Sequence, residues 1–230
     1  IKVISYEEML EMASLGAKVM QPTSLQDARL NRIDVDVKSS FTNKEGTLIT
    51  KKKNIYSKKN IRGVSFTKND SKITLVGVKD KPGVAASVFK PLSENYINVD
   101  MVVQASSGNK RETDITFTIK SDDLLKTLRL IKQNKKIKCK DLIIDKNVSK
   151  VSIVGVGMVT SPGVTYRMFK ALAKKNINIL VISTSEIKIS VLINKKYITK
   201  AVSALHKEFN LDNQKWVLDH SEIFIDEKPK

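Results

Sequence analysis

Val64-Ser65-Phe66-Thr67-Lys68-Asn69-Asp70-Ser71-Lys72-Ile73-Thr74-Leu75-Val76-Gly77-Val78 is met again 78 residues further on as Leu142-Ile143-Ile144-Asp145-Lys146-Asn147-Val148-Ser149-Lys150-Val151-Ser152-Ile153-Val154-Gly155-Val156. Lys79-Asp80-Lys81 follows the first copy and Gly157-Met158-Val159-Thr160-Ser161 the second, and the repeat resumes at an offset of 80. Pro82-Gly83-Val84 then matches Pro162-Gly163-Val164, Phe89-Lys90 matches Phe169-Lys170, and Ile97-Asn98 matches Ile177-Asn178. Over positions 64–78 and 82–99 the two copies share 15 of 33 residues, too many for chance in segments of ordinary complexity.

Each copy reads strand, helix, strand, strand, helix. Residues 73–78 form a short β-branched run, the signature of a buried strand, broken by Pro82-Gly83. Val84, Val88 and Leu92 then recur at helical spacing, as do Val164, Met168 and Leu172. Residues 97–104 are a second strand, 106–109 a turn, and Ile115, Phe117 and Ile119 alternate with threonines as a half-buried third strand. Leu124, Leu125, Leu128 and Ile131 mark the second helix. In the second copy the turn falls near Thr184-Ser185, Ile187, Ile189, Val191 and Ile193 alternate, and Ile198, Val202 and Leu205 form the helical stripe. A βαββαβ unit needs a fourth strand. The first copy finds one at Leu142-Ile143-Ile144, whereas the second is followed by the polar stretch 210–215. Residues 64–66, which stand before the first copy with nothing there to complete, are therefore expected to cross over and complete the second. The fold class is α+β: two βαββαβ units, the first inserted in the second.

Outside the repeat, residues 1–41 read as helix, helix and strand: an amphipathic stretch at 6–17, a second helix at 24–31, and Ile33, Val35 and Val37 alternating with polar residues. The piece is too small to hold a core alone. Residues 42–60, rich in lysine and poor in apolar side chains, read as a linker. The expected division is 1–41 flank, 42–60 linker, 72–146 first unit, 61–71 with 147–220 second unit, and 221–230 tail. No apolar run approaches the roughly 20 residues of a membrane helix. The opening Ile1-Lys2-Val3-Ile4 has no Met and no signal pattern, and reads as a cut edge. The single Cys139 can form no internal disulfide, which fits a reducing compartment. The net charge of +17 raises a nucleic-acid or anionic-membrane reading. Lysines are spread nearly everywhere with few aromatics beside them, and the densest runs (51–53, 58–59, 135–138) fall in loops and at a helix end, so composition explains the charge better.

The loop Asp80-Lys81-Pro82-Gly83-Val84-Ala85-Ala86, with Ile97-Asn98-Val99-Asp100 behind it, resembles the ACT domains, ferredoxin-like amino-acid-binding regulatory modules. A wider set narrows this: Leu15-Gly16-Ala17-Lys18-Val19-Met20, Thr113-Asp114-Ile115-Thr116-Phe117-Thr118, Val154-Gly155-Val156-Gly157-Met158 and Ile182-Ser183-Thr184-Ser185-Glu186-Ile187-Lys188-Ile189-Ser190-Val191. In order and spacing these are similar to the C-terminal part of the aspartate kinase family, from the end of the α/β kinase domain through two ACT domains. The resemblance implies an enzyme that phosphorylates L-aspartate with ATP and Mg, the first step toward lysine, threonine and methionine. It further implies feedback inhibition by lysine and/or threonine, a catalytic domain or subunit as partner, and a cytoplasmic setting; exposed sheet edges and helix faces in units this small lead to the expectation of a homodimer through the ACT domains. The Lys-Phe-Gly-Gly-Thr-Ser-type segment and the Gly-rich nucleotide loop of the family are missing here, so this piece alone is expected to be inactive, with no cofactor, metal or catalytic residue of its own. The pair Gly155 and Gly157 is a weak phosphate-loop signal.

Two effector sites are expected. The first amides of a helix lack intrahelical partners and suit a carboxylate, while Asp80 and Asn98 can accept from an ammonium group. The first site is assigned Asp80, Pro82, Gly83, Val84, Ala85, Asn98, Asp100 and Gln104. The second loop lacks an acid at the position of Asp80, and Leu180 replaces Asp100. By resemblance, a second site suited to lysine takes Ser161, Pro162, Gly163, Val164, Asn178 and Glu186, with Thr113 and Asp114 from the other repeat. Each residue also has a plain structural reading. The Pro-Gly pairs can be strand-to-helix turns, Asp80 and Glu186 solvated acids, Asn98 and Asn178 turn residues, and Thr113 an ordinary strand residue. His206 and His220 stand alone and read as surface residues without metal-ligand company. A free-standing ACT-type binding protein is the rival reading, with a nucleic-acid binder behind it.

Overall fold

A computed structural model describes residues 1–51, 60–106, 112–158, 161–211 and 223–225, the last three by backbone alone. The turn at 106–109, the lysine runs at 51–53 and 58–59, positions 159 and 160 of the second loop, most of the tail and His220 lie wholly or partly outside these. The elements are β1 (Val3–Ser5), α1 (Tyr6–Ser14), α2 (Pro22–Leu30), β2 (Val35–Val37), β3 (Thr47–Thr50), β4 (Gly63–Lys79), α3 (Val84–Glu94), β5 (Val99–Ser106), β6 (Glu112–Lys120), α4 (Leu124–Gln133), β7 (Asp141–Val154), α5 (Val164–Ala173), β8 (Ile179–Thr184), β9 (Lys188–Asn194), α6 (Ile198–Glu208) and β10 (Ile223–Ile225).

The chain divides into two compact units. One is Lys68–Ser149; the other joins Ile1–Thr67 to Lys150–Lys230. The repeat strands and those expected to complete them turn out to be continuous: residues 64–66 and 73–78 belong to the single strand β4, and residues 142–144 and 151–154 to the single strand β7. The strand order is β7-β4-β6-β5 in the inserted unit and β4-β7-β9-β8 in the outer one. In both, the first strand of the unit lies inside, flanked by its third and fourth strands, which is the ferredoxin-like arrangement of a split βαβ pair. One α+β unit is thus inserted in another. β10 adds antiparallel to β4, with Ile223 opposite Ser65.

The inserted unit packs Ile73, Leu75 and Val78 of β4 with Val84, Val88 and Leu92 of α3 and with Ile115, Phe117 and Ile119 of β6. Phe89 meets Phe117 edge to face at 5.3 Å between ring centres, a geometry that adds to the burial of both rings. The outer core holds Val64 and Phe66 of β4 together with Val151, Ile153, Val164, Met168, Leu172, Val191, Val202 and Leu205. Sequence neighbours on one strand therefore serve different cores. His206 also belongs inside: only 6 % of it is exposed, contrary to the surface placement read from its isolation, because α6 turns it inward next to Leu205 and Leu211 folds back onto its carbonyl.

The flank departs from the helix–helix–strand reading. Its three-stranded sheet has the order β1-β3-β2, with β3 parallel to β1 and antiparallel to β2. β3 lies in the stretch read as a linker, and its Ile49 is fully buried. Four residues among lysines carry little periodicity, and their partners lie ten to forty-odd positions away. Ile4, Tyr6, Met9, Met12, Leu15, Leu25 and Ile49 form a cluster completed by Val154 of β7, so the flank fills its core with help from the second copy. Ser65 Oγ donates to the Leu15 carbonyl at 2.9 Å, and Lys188 pairs with Glu11 at 3.1 Å.

Candidate functional site

The end of β4, Lys79, is followed by an open loop that turns into α3 at Gly83. Gly83 sits at φ 87°, ψ −1° and forms the N-cap, a left-handed backbone that glycine adopts without penalty. Val84 N–H donates to the Lys81 carbonyl at 3.2 Å and Ser87 N–H to the Gly83 carbonyl at 3.0 Å. The amides of the first turn have no acceptor within the helix, and the helix dipole places partial positive charge there. Asp80, Lys81, Pro82, Gly83, Val84, Ala85 and Gln104 line a cavity of about 450 Å³, a volume near the small end of ligand pockets.

Six of the residues expected at the first site thus come together: Asp80, Pro82, Gly83, Val84 and Ala85 from the loop and Gln104 from β5. Lys81 joins them. It was missed although it lies between two assigned residues, because an exposed lysine in a lysine-rich chain carries no local signal. Asn98 and Asp100 are not among the lining residues. Asp100 accepts a hydrogen bond from the Met101 amide at 2.9 Å. Met101 has a positive φ of 46°, and the β5–β6 register slips between Asp100 and Val103. Asp100 therefore stabilises a β-bulge rather than lining the cavity to which it was assigned. β8 also slips nearby, between Ile179 and Val181, where Leu180 stands in place of the acid.

The second loop repeats the backbone. Gly163 caps α5 at φ 90°, ψ −2°, and Arg167 N–H returns to its carbonyl at 2.9 Å. Ser161 is half-buried, Pro162, Gly163 and Asn178 are exposed, and Val164 is buried in the outer core. Glu186 is exposed in the tight turn closed by Ser185 N–H on the Lys188 carbonyl. Thr113 and Asp114, assigned with these residues, lie in the inserted unit and are engaged there. Thr113 Oγ1 donates to the Ala105 carbonyl, and Asp114 accepts from Gly77 N–H at 2.8 Å. Both residues lock strands of their own sheet.

Chemically, the first cavity offers one carboxylate, one ammonium, one side-chain amide and a helix N-terminus. That set complements a zwitterion, with the ligand ammonium at Asp80 and its carboxylate at the helix end. Among the described residues no group of three His, Cys, Asp or Glu is placed to hold a metal, and no helix is long and apolar enough to cross a membrane.

The ACT domain family matches residues 73–134 and 151–209. An aspartokinase of Pseudomonas aeruginosa is 46% identical over 212 residues, covering 91% of this chain and 51% of that protein. The chain thus spans about half the length of the curated relatives it matches. The ligand-free regulatory subunit of aspartate kinase from Thermus thermophilus is 38% identical with a TM-score of 0.62, over 66% of this chain and 99% of that one. Aspartokinase III of E. coli in complex with lysine and aspartate superposes with a TM-score of 0.70 at 25% identity, over 91% of this chain and 46% of that one.

Proposed function

The chain belongs to the aspartokinase family and carries its paired ACT domains, and on that premise we propose that the cavity at the first Pro-Gly loop binds lysine or threonine as a feedback effector of an ATP- and Mg-dependent aspartate kinase. The observation that carries this is the gathering of Asp80, Lys81, Gln104 and the α3 N-terminus around one small cavity. A free α-amino acid presents both charges that these groups complement, and lysine occupies the complex of the E. coli relative. Effector binding shifts activity only by favouring one arrangement of the protein over another, so the module acts on a catalytic kinase domain or subunit. The edge strands β5 and β8 expose Val102, and Leu180 and Ile182, respectively. These apolar edges support pairing of two chains as a homodimer.

Isothermal calorimetry tests the reading. Lysine or threonine at millimolar concentration is expected to release heat in a saturable manner, and Asp80→Ala to weaken the affinity roughly tenfold, the scale of one lost charge-assisted hydrogen bond. No heat with either amino acid, alone or together, overturns it.

A further inference from the structure

A glutamate in the first turn of a helix is ordinarily a solvated capping residue. Glu8 of α1 begins that way: its Oε2 accepts from the Ser5 amide at 3.3 Å and from Ser5 Oγ at 3.1 Å, while Ser5 Oγ accepts from Glu8 N–H, a complete capping box. Yet only 1 % of Glu8 is exposed. Its other oxygen, Oε1, accepts from the amide of Val156, 148 residues along the chain, at 3.1 Å. The Arg62 Nε lies 3.6 Å from that same oxygen, with the arginine side chain itself largely covered. One buried carboxylate therefore accepts hydrogen bonds from the start of α1 and from the turn after β7, and forms an ion pair with the entry to β4.

Burying a charge is costly unless its hydrogen-bonding capacity is filled. Helix capping alone is achieved equally well at the surface. The arrangement is thus cooperative, because withdrawing any one segment leaves the carboxylate short of a partner. The turn it holds, Val156–Met158, precedes Pro162-Gly163 in sequence and is tied to that loop by Ser161 N–H on the Met158 carbonyl at 3.1 Å. On one side the turn packs closely against Asn60. A Cβ on Gly155 would lie 2.3 Å from the Asn60 carbonyl oxygen, and one on Gly157 2.7 Å from Asn60 Cα.

We propose that Glu8 is a positioning residue that fastens α1 of the flank to the turn ahead of the second Pro-Gly loop, so that a displacement of that loop is passed to α1. It gives the regulatory reading a physical link from the second copy of the repeat to the flank. The link itself exists without any effector, so its test is independent of effector binding.

The experiment follows backbone amide resonances of the 230-residue chain by NMR, with Pro162→Ala as the perturbation of the exposed loop. With Glu8 intact, P162A is expected to shift the amides of residues 156–158 and also those of α1. In the Glu8→Gln background the shifts are expected to stop at the turn, because a glutamine must turn its NH₂ toward a donor. The Val156 amide is expected to exchange roughly tenfold to a hundredfold faster in E8Q, the range for a lost hydrogen bond to a charged acceptor. Glu8→Asp keeps the charge but withdraws it by one methylene, and is expected to uncouple the two segments likewise should E8Q fail to fold. Equal spread of the P162A shifts into α1 with and without Glu8, no spread into α1 with Glu8 intact, or unchanged Val156 exchange in the variants would each overturn the proposal.

Discussion

At the residue scale, two glycines with positive φ separate conformational cost from steric cost. At Gly83, φ is 87° and a Cβ would meet nothing within 4 Å; at Gly16, φ is 112° and a Cβ would lie 2.6 Å from the Phe66 carbonyl oxygen. Gly83→Ala is expected to cost only the left-handed backbone penalty, about 1–2 kcal/mol. Gly16→Ala is expected to cost more, since strain and a backbone clash add, and urea denaturation of the two variants measures the order. Gly83 was legible in the sequence because it recurs at Gly163 after the same kind of strand. Glu8 was not, since nothing local distinguishes a buried acid in a first helical turn from a solvated one. Asp100 was read as a ligand because the bulge it stabilises leaves no mark on the alternation of β5.

At the element scale, α3 contains a proline at position 91. Proline has no N–H, so the Ser87 carbonyl four residues back loses its helical donor. Asn134, just past α4, supplies a replacement: its Nδ2 donates to that carbonyl at 3.1 Å. Asn134→Ala is expected to destabilise the inserted unit by about 1 kcal/mol, the net worth of one such bond. In a Pro91→Ala background the restored helical donor should make Asn134 dispensable, so a double-mutant cycle by chemical denaturation gives a coupling of similar size. Equal loss in both backgrounds would exclude the substitution of one donor for the other. Helices of this kind were legible because their apolar stripe repeats over three turns. β3 was not. A strand of four residues draws its identity from its partners, and pairing with Val3–Ser5 across more than forty residues leaves no periodic trace in a lysine-rich stretch.

At the scale of the whole molecule, the interleaving makes a prediction that sequence proximity would get wrong. Phe66 stands seven positions before Ile73, yet it packs in the outer core with Val151 and Leu205. Phe66→Ala is expected to cost about 3–5 kcal/mol. Hydrogen exchange should show the lost protection concentrated in residues 150–209, with the neighbouring 73–134 little changed. The crossover could be read from sequence because the repeat set a strand count and the second copy fell one short. The internal hydrogen bonds of Thr113 and Asp114 could not, because strand threonines and aspartates look alike whether they bind a ligand or a neighbouring strand. The interleaving also bears on the order in which a ribosome delivers the parts. The inserted unit is contiguous and can close as soon as Ser149 has emerged, whereas residues 63–67 must wait for β9 and α6 before their own core exists. During that interval the inserted unit is complete while residues 63–67 form an apolar half-strand whose own core is still missing, the kind of species most prone to mispairing in a protein that is folded as it is made.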